Sequence, residues 1–329
     1  MRFKATLLHR RSTLLMECIQ GFVKLSKACP PKQKTRFCIK LDKTFLLLIL
    51  TVYNTTDNEI LDVSCKFDYK DIFYPGYIVE SKHNNIIGIS MNPESLILPL
   101  KSASLAKETS LRLSKRDNQN VLSFTMTVET KKSSTFQLVH DCSIDVIKAQ
   151  YVDDLIPLAE LLNCEIGIPN IHFSIPPAKL FHRLLERMKL VGSKFIDIQI
   201  IYNEDTDESE KINGIGKPLN NELCHFVCSS HTSLASASIK TFFNNCRVFK
   251  TSDEFHDNLQ NNQVNKGFNL SATFDIHHII AILQLVLCIS DAHCVATITP
   301  EKYMSLFIFF PSINSQISII ISPANADND

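Results

Sequence analysis

Cys224, His225, Cys228 and His231 crowd one short segment and form the nearest approach to a metal-ligand set in the chain. Cysteine and histidine are the ligand types zinc takes. The spacing fits no standard zinc module, and Leu223–Ser230 reads as a strand. Strand alternation puts Cys224, Phe226 and Cys228 on one face and His225 on the other, which splits the set. No metal is expected. Ser229, His231, Asp253 and His256 have the residue types of a hydrolytic relay. They carry no nucleophile elbow and fall in expected loops. Asn213-Gly-Ile-Gly-Lys has the glycines of a phosphate loop. It lacks the full spacing, the Ser or Thr after Lys and a strand–helix setting, so it reads as a polar hairpin turn. No acid, base and nucleophile converge. The chain is not read as an enzyme, and no cofactor is expected.

The cations offer a different chemistry. At 100° per residue, Lys179, Arg183 and Arg187 fall within an arc of about 80° on one helix. His182, Glu186 and Lys189 widen that polar face, and Leu180, Phe181, Leu184, Leu185, Met188 and Val191 fill the opposite one. An earlier helix offers Lys24 and Lys27, with Arg10 and Arg11 just before it. Another offers Lys101 and Lys107 in its C-terminal part. A last helix has only His277 and His278, neither reliably charged at neutral pH. A basic helix face is most often a solvated face. Recurrence on three of four equivalent helices gives these charges a common direction. A surface on which they converge suits phosphate backbones, because each Lys or Arg releases counterions without reading sequence.

The elements that hold those helices recur. A strand, an amphipathic helix and a second strand follow one another four times, at intervals of about 84 to 97 residues. The copies are Arg2–Leu8, Ser12–Cys29 and Arg36–Leu41; Ile86–Met91, Pro93–Lys107 and Leu111–Ser114; Ile171–Ile175, Pro177–Val191 and Phe195–Tyr202; and Phe268–Asp275, Ile276–Cys288 and Cys294–Thr299. Two similar halves follow, each holding the unit twice. Further strands are expected at Thr44–Val52, Ile60–Phe67, Val121–Val128, Phe136–Ile147, Met304–Phe310 and Gln316–Ser322. Lys148–Asn170 reads as a connector, with Pro157 disfavouring a straight helix through it. Asn203–Asn221 and Ser252–Lys266 are polar inserts.

The 329 residues suffice for two domains with cores, and 45% apolar with 21% charged residues is ordinary for a globular protein. A formal net charge of zero argues against a wholly basic nucleic-acid coat and leaves room for one basic face. The 11 cysteines, scattered through apolar segments with no secretory leader before them, read as reduced core residues of an intracellular protein. Phe45–Tyr53 and Ile276–Cys288 are too short to cross a bilayer, which needs about 20 apolar residues.

Leu98–Phe124, LPLKSASLAKETSLRLSKRDNQNVLSF, resembles the checkpoint sliding-clamp subunit named for hydroxyurea sensitivity, part of the heterotrimeric 9-1-1 clamp. Arg112-Leu-Ser-Lys-Arg-Asp-Asn-Gln is the most specific part. Met1-Arg-Phe-Lys, Leu138-Val-His-Asp and Ile175-Pro-Pro, leading to Arg187-Met-Lys, are also similar. The resemblance is patchy by identity but spans nearly the whole chain by order of elements. It implies an α+β, PCNA-like DNA clamp: two similar domains, 1–147 and 171–329, each with two helices packed on antiparallel sheets, joined by the connector 148–170. It also implies one third of a ring, completed by two other clamp subunits, opened by a clamp loader and closed around double-stranded DNA without sequence specificity. Nuclear localisation and a part in damage signalling and repair follow. Lys24, Lys27, Lys101, Lys107, Lys179, Arg183 and Arg187 would then face DNA. One subunit edge would hold Phe136, Leu138, His140 and Ile144, and the other, near Ser236–Phe243, would hold Ile239, Thr241 and Phe243. A homotrimeric replication clamp is the alternative within this fold, and an α+β enzyme the alternative outside it.

Overall fold

The computed structural model describes residues 1–30, 33–53, 59–129, 135–165, 171–203, 222–231, 238–250, 267–290, 292–299, 302–310, 313 and 315–324. The insert at 204–221, the insert at 252–266 and the last part of the connector, 166–170, lie outside them, as do the glycines of the loop at 213–217 and both Asp253 and His256.

Four helices carry the repeat: α1 (Ser12–Ala28), α2 (Ile97–Ala103), α3 (Ala178–Leu190) and α4 (Ile276–Val286). The strands of the first half are β1 (Arg2–Leu7), β2 (Lys34–Leu41), β3 (Phe45–Tyr53), β4 (Glu59–Asp68), β5 (Ile78–Glu80), β6 (Ile87–Ser90), β7 (Glu108–Arg116), β8 (Gln119–Glu129), β9 (Thr135–Ser143) and β10 (Asp145–Val146). Those of the second are β11 (Ile171–Ser174), β12 (Phe195–Asn203), β13 (Glu222–His231), β14 (Ser238–Lys250), β15 (Gly267–Asp275), β16 (His293–Thr299), β17 (Tyr303–Phe309) and β18 (Gln316–Ile321). All four strand–helix–strand units are present.

The strands form a five-stranded sheet, β5-β1-β7-β8-β9, and a 13-stranded sheet, β10-β6-β2-β3-β4-β18-β17-β16-β11-β14-β13-β12-β15. Among the described residues every strand pairing is antiparallel. The longer sheet runs through both halves because β4 pairs with β18, Leu61 opposite Ile321 through to Lys66 opposite Gln316.

Strand chemistry follows from which faces are covered. In β1, Phe3, Ala5 and Leu7 are buried and Arg2 and Lys4 are exposed, a one-sided alternation. β3 is apolar but for Thr51 because both faces are covered: Leu46, Leu48, Leu50 and Val52 enter the main core, while Leu47 and Ile49 meet Leu155 and Ile147 on the other side. Leu155 belongs to the connector, which crosses the outer face of the long sheet. Gly88 marks the crossing, since a Cβ there would lie 3.1 Å from Val152 and 3.2 Å from Leu155. Pro157 opens a short helix, Leu158–Glu165, rather than interrupting one. Buried Asp62 holds its start, accepting the Leu158 N–H at 3.2 Å and the Thr51 hydroxyl at 3.4 Å.

Two expected elements end early, and one strand is unforeseen. The second helix is a 3₁₀ turn, Pro93–Leu96, followed by α2, which ends at Ala103. Pro99 has no N–H to give the Ser95 carbonyl, which instead accepts the Cys142 thiol at 3.2 Å. The strand expected over Phe136–Ile147 stops at Ser143. Beyond it the chain changes sheets, pairing Asp145 and Val146 with β6. The short β5, held against β1, has no counterpart in the sequence reading.

Candidate nucleic-acid interface

On α1, Leu15, Cys18, Ile19, Phe22 and Leu25 follow helical spacing and are buried, which leaves Lys24 and Lys27 exposed. On α3, Phe181, Leu185 and Met188 are buried while Lys179, Arg183 and Arg187 are exposed. Among the described residues these three cations make no ion pair. Gly192, at φ 89°, ends α3, with its N–H on the Lys189 carbonyl at 3.0 Å and the Ser193 N–H on that of Met188 at 3.1 Å. The Asp275 carboxylate caps α4, accepting the His277 N–H at 2.8 Å.

The helices pack as one layer in the order α2, α1, α4, α3. This order explains the chemistry of α4. It lies between α1 and α3 with Ile276 and His278 through Leu283, Leu285 and Val286 buried, so only His277 and Gln284 are left as polar positions near the surface. Lys24 and Lys27 of α1 and Glu186 and Lys189 of α3 line a cleft of about 370 Å³ over His277, Ile280 and Gln284. The basic helices thus converge, with α4 as the floor between them. Lys189, which the sequence placed on the widened polar face of this helix but not in the DNA-facing set, belongs to this cleft.

The cations are not equivalent. Lys24 and Lys101 are exposed without an ion pair among the described residues. Lys27 pairs with Glu94, ahead of α2. Lys107 lies outside α2, in the turn before β7, because the helix ends four residues earlier. Its Nζ is 2.6 Å from Glu129, whose hydrogen bond and charge raise the lysine pKa.

The two expected subunit edges are open. β9 ends the five-stranded sheet, with Phe136 exposed and Leu138 and His140 half-buried. The His140 ring lies 3.2 Å from the Ser102 hydroxyl of α2. Ile144 is not part of this edge. It lies past β9 and is buried in the core, where the chain turns into β10. β14 pairs with β13 along most of its length but meets β11 only at Val248–Lys250, so among the described residues Ser238–Asn244 has a free side. Ile239, Thr241 and Phe243 are half-buried there, and Phe243 packs edge-on against Phe181 and Phe226. The exposed apolar side chains on the two edges are Phe136, Val139 and Phe242. Alternation alone does not tell which face of an edge strand a helix covers.

Among the described residues no three Cys, His, Asp or Glu side chains come together as a metal-ligand set. Cys224 and Cys228 are buried, and burial pushes both up to about 12, with Cys246 and Asp197 respectively adding to the rise. With no cation beside it, a thiol so placed stays protonated and unreactive. His225 faces away and meets the Asn244 side chain at 3.1 Å. The His231 side chain lies outside the described residues.

A helix layer backed by antiparallel sheets, built twice and joined by an outer connector, is the architecture of the PCNA-like clamps. Proliferating Cellular Nuclear Antigen from Entamoeba histolytica matches with a TM-score of 0.58 over 98% of this chain and 99% of that one. At 9% identity this likeness shows the fold alone. The model of the Hus1-like protein family matches residues 1–323, and the chain belongs to that family. Checkpoint protein hus1 of Schizosaccharomyces pombe is 24% identical over 134 residues, 40% of this chain and 47% of that protein, so the match spans about half of that relative.

Proposed function

We propose that the chain is a non-catalytic subunit of a heterotrimeric checkpoint clamp that encircles double-stranded DNA in the nucleus and supports damage signalling and repair. Its two domains are 1–147 and 171–329, joined by the connector 148–170. One observation carries this reading. The seam inside the chain joins β4, the third strand of the first meander, to β18, the last strand of the second half. The equivalents of those strands in the opposite halves are β14 and β9, and among the described residues both have free edges. The same pairing made between chains is head-to-tail and closes a ring. It also covers two edges that would otherwise invite aggregation.

The helix layer supports the DNA part of the reading. Lys24, Lys101, Lys179, Arg183 and Arg187 present charge from three helices, and Lys27 and Lys189 meet over α4. Such contacts hold phosphates without fixing register on the sequence, which suits a ring that slides once a clamp loader has closed it. Two unlike edges serve any head-to-tail ring, so it is membership of the Hus1-like family that favours unlike neighbours over a self-closing homotrimer. Phe136→Asp on β9 tests the interface. We expect the folded variant to be excluded from a ring with two partner clamp chains, and its normal incorporation would refute the edge assignment.

A further inference from the structure

The outer face of the five-stranded sheet, turned away from the helices, holds an unneutralised pair of cations. Register places Lys4 of β1 directly opposite Arg112 of β7. Both are exposed, and among the described residues neither makes an ion pair. Like charges directly opposite one another in a sheet destabilise it. Their neighbours are matched: Arg2 lies 3.7 Å from Glu80, and Arg116 lies 3.4 Å from Asp141. The row continues from Arg112 to Ser123 and then Asp141. Ser123 is fully buried, and neither its hydroxyl nor that of Ser114, two residues along β7 from Arg112, has a hydrogen-bond partner. The centre of this face therefore carries two cations and two idle hydroxyls, with no acceptor matched to them. Two motifs singled out in the sequence, Met1–Lys4 and Arg112–Gln119, meet here, and the DNA-facing layer uses neither.

We propose that Lys4 and Arg112 dock one phosphoryl group carried on a serine or threonine of a partner protein. A phosphoryl group brings close to two negative charges and three acceptor oxygens, which answers two exposed cations that no acceptor neutralises. Arg112 supplies the planar fork suited to two of those oxygens, and Lys4 supplies a point charge. Glu80 and Asp141 already neutralise Arg2 and Arg116 on either side, so the uncompensated charge is confined to this one pair, which favours a single anion over a continuous phosphate backbone.

The test uses the full chain and a fluorescent Gly-Gly-phosphoSer-Gly-Gly peptide, followed by polarisation. The phosphopeptide is expected to bind and its unphosphorylated form to fail. Lys4→Ser and Arg112→Ser are each expected to weaken binding about tenfold or more, the scale of one lost charged hydrogen bond. Arg112→Lys should retain part of the affinity. In the free chain, Arg112→Ser is expected to raise the unfolding midpoint by removing the repulsion. Equal binding of the two peptides, unchanged binding by Arg112→Ser, or a lowered midpoint in that variant overturns the proposal. So does a single-stranded oligonucleotide that binds through Lys4 and Arg112 more tightly than the phosphopeptide.

Discussion

Gly21 of α1 lies so close to Leu285 of α4 that a Cβ on the glycine would sit 2.9 Å from Leu285 Cγ. The two helices come from opposite halves of the chain, so this contact fixes how the halves share one helix layer. Gly21→Ala forces the neighbours apart and should cost about 1–3 kcal/mol in denaturant unfolding. In a Leu285→Ala background, itself destabilised by the lost buried side chain, Gly21→Ala should cost less than it does alone, a coupling that a double-mutant cycle reads directly.

The connector depends on one carboxylate. Asp62 is buried beneath it and accepts from Leu158 N and Thr51 Oγ1. Asp62→Ala should destabilise the fold by about 1–3 kcal/mol, since it strands buried donors. Hydrogen exchange should quicken at the Leu158 amide and remain slow in β3.

Stability should fall in mild acid. Burial lowers the His278 pKa below its ordinary 6.5, with Asp275 opposing and His277 adding to the shift, and burial lowers that of His172 as well. The neutral His278 ring stands 3.1 Å from the Gln33 side-chain oxygen. As pH drops, the unfolded chain takes up protons first. The stability held by the neutral rings is complete above about pH 6.5 and is lost as pH falls through the lower folded values. Unfolding midpoints measured between pH 7.5 and 5, a window of about that width around the ordinary histidine value, should decline. The decline should be shallower in His278→Gln.

Salt dependence separates the cations. Replacing Lys179, Arg183 and Arg187 by serine should weaken DNA binding and reduce the slope of log K against log salt by about 2.7, near 0.9 for each phosphate left unneutralised. Lys107→Ser should change the slope far less, because Glu129 already holds that charge. Equal effects would place the interface elsewhere than the helix layer.

The repeat was legible because each helix has a wide apolar face and each flanking strand is short and apolar. Pro177–Val191 in the sequence is Ala178–Leu190 in the fold, and Ile276–Cys288 is Ile276–Val286. The weak charge of the fourth helix was also legible, but its cause was not. Its place between α1 and α3 depends on contacts between residues more than 200 positions apart, such as Gly21 with Leu285, and periodicity carries no such information. The shortened α2 was hidden because Pro99 is compatible with a first helical turn and excludes only the longer helix that would begin before it. Val139 and Phe242 escaped notice because an edge strand's exposed face is set by the layer beneath it. Ile144 was assigned to that edge because its apolar run gives no sign that the chain changes sheets after Ser143.

Light scattering of the purified chain, alone and with two different clamp-fold partners, tests the ring most directly. The account predicts no homotrimer of the chain by itself and a one-to-one-to-one complex with both partners, abolished when Phe136→Asp is introduced. A stable homotrimer formed by this chain alone would contradict it.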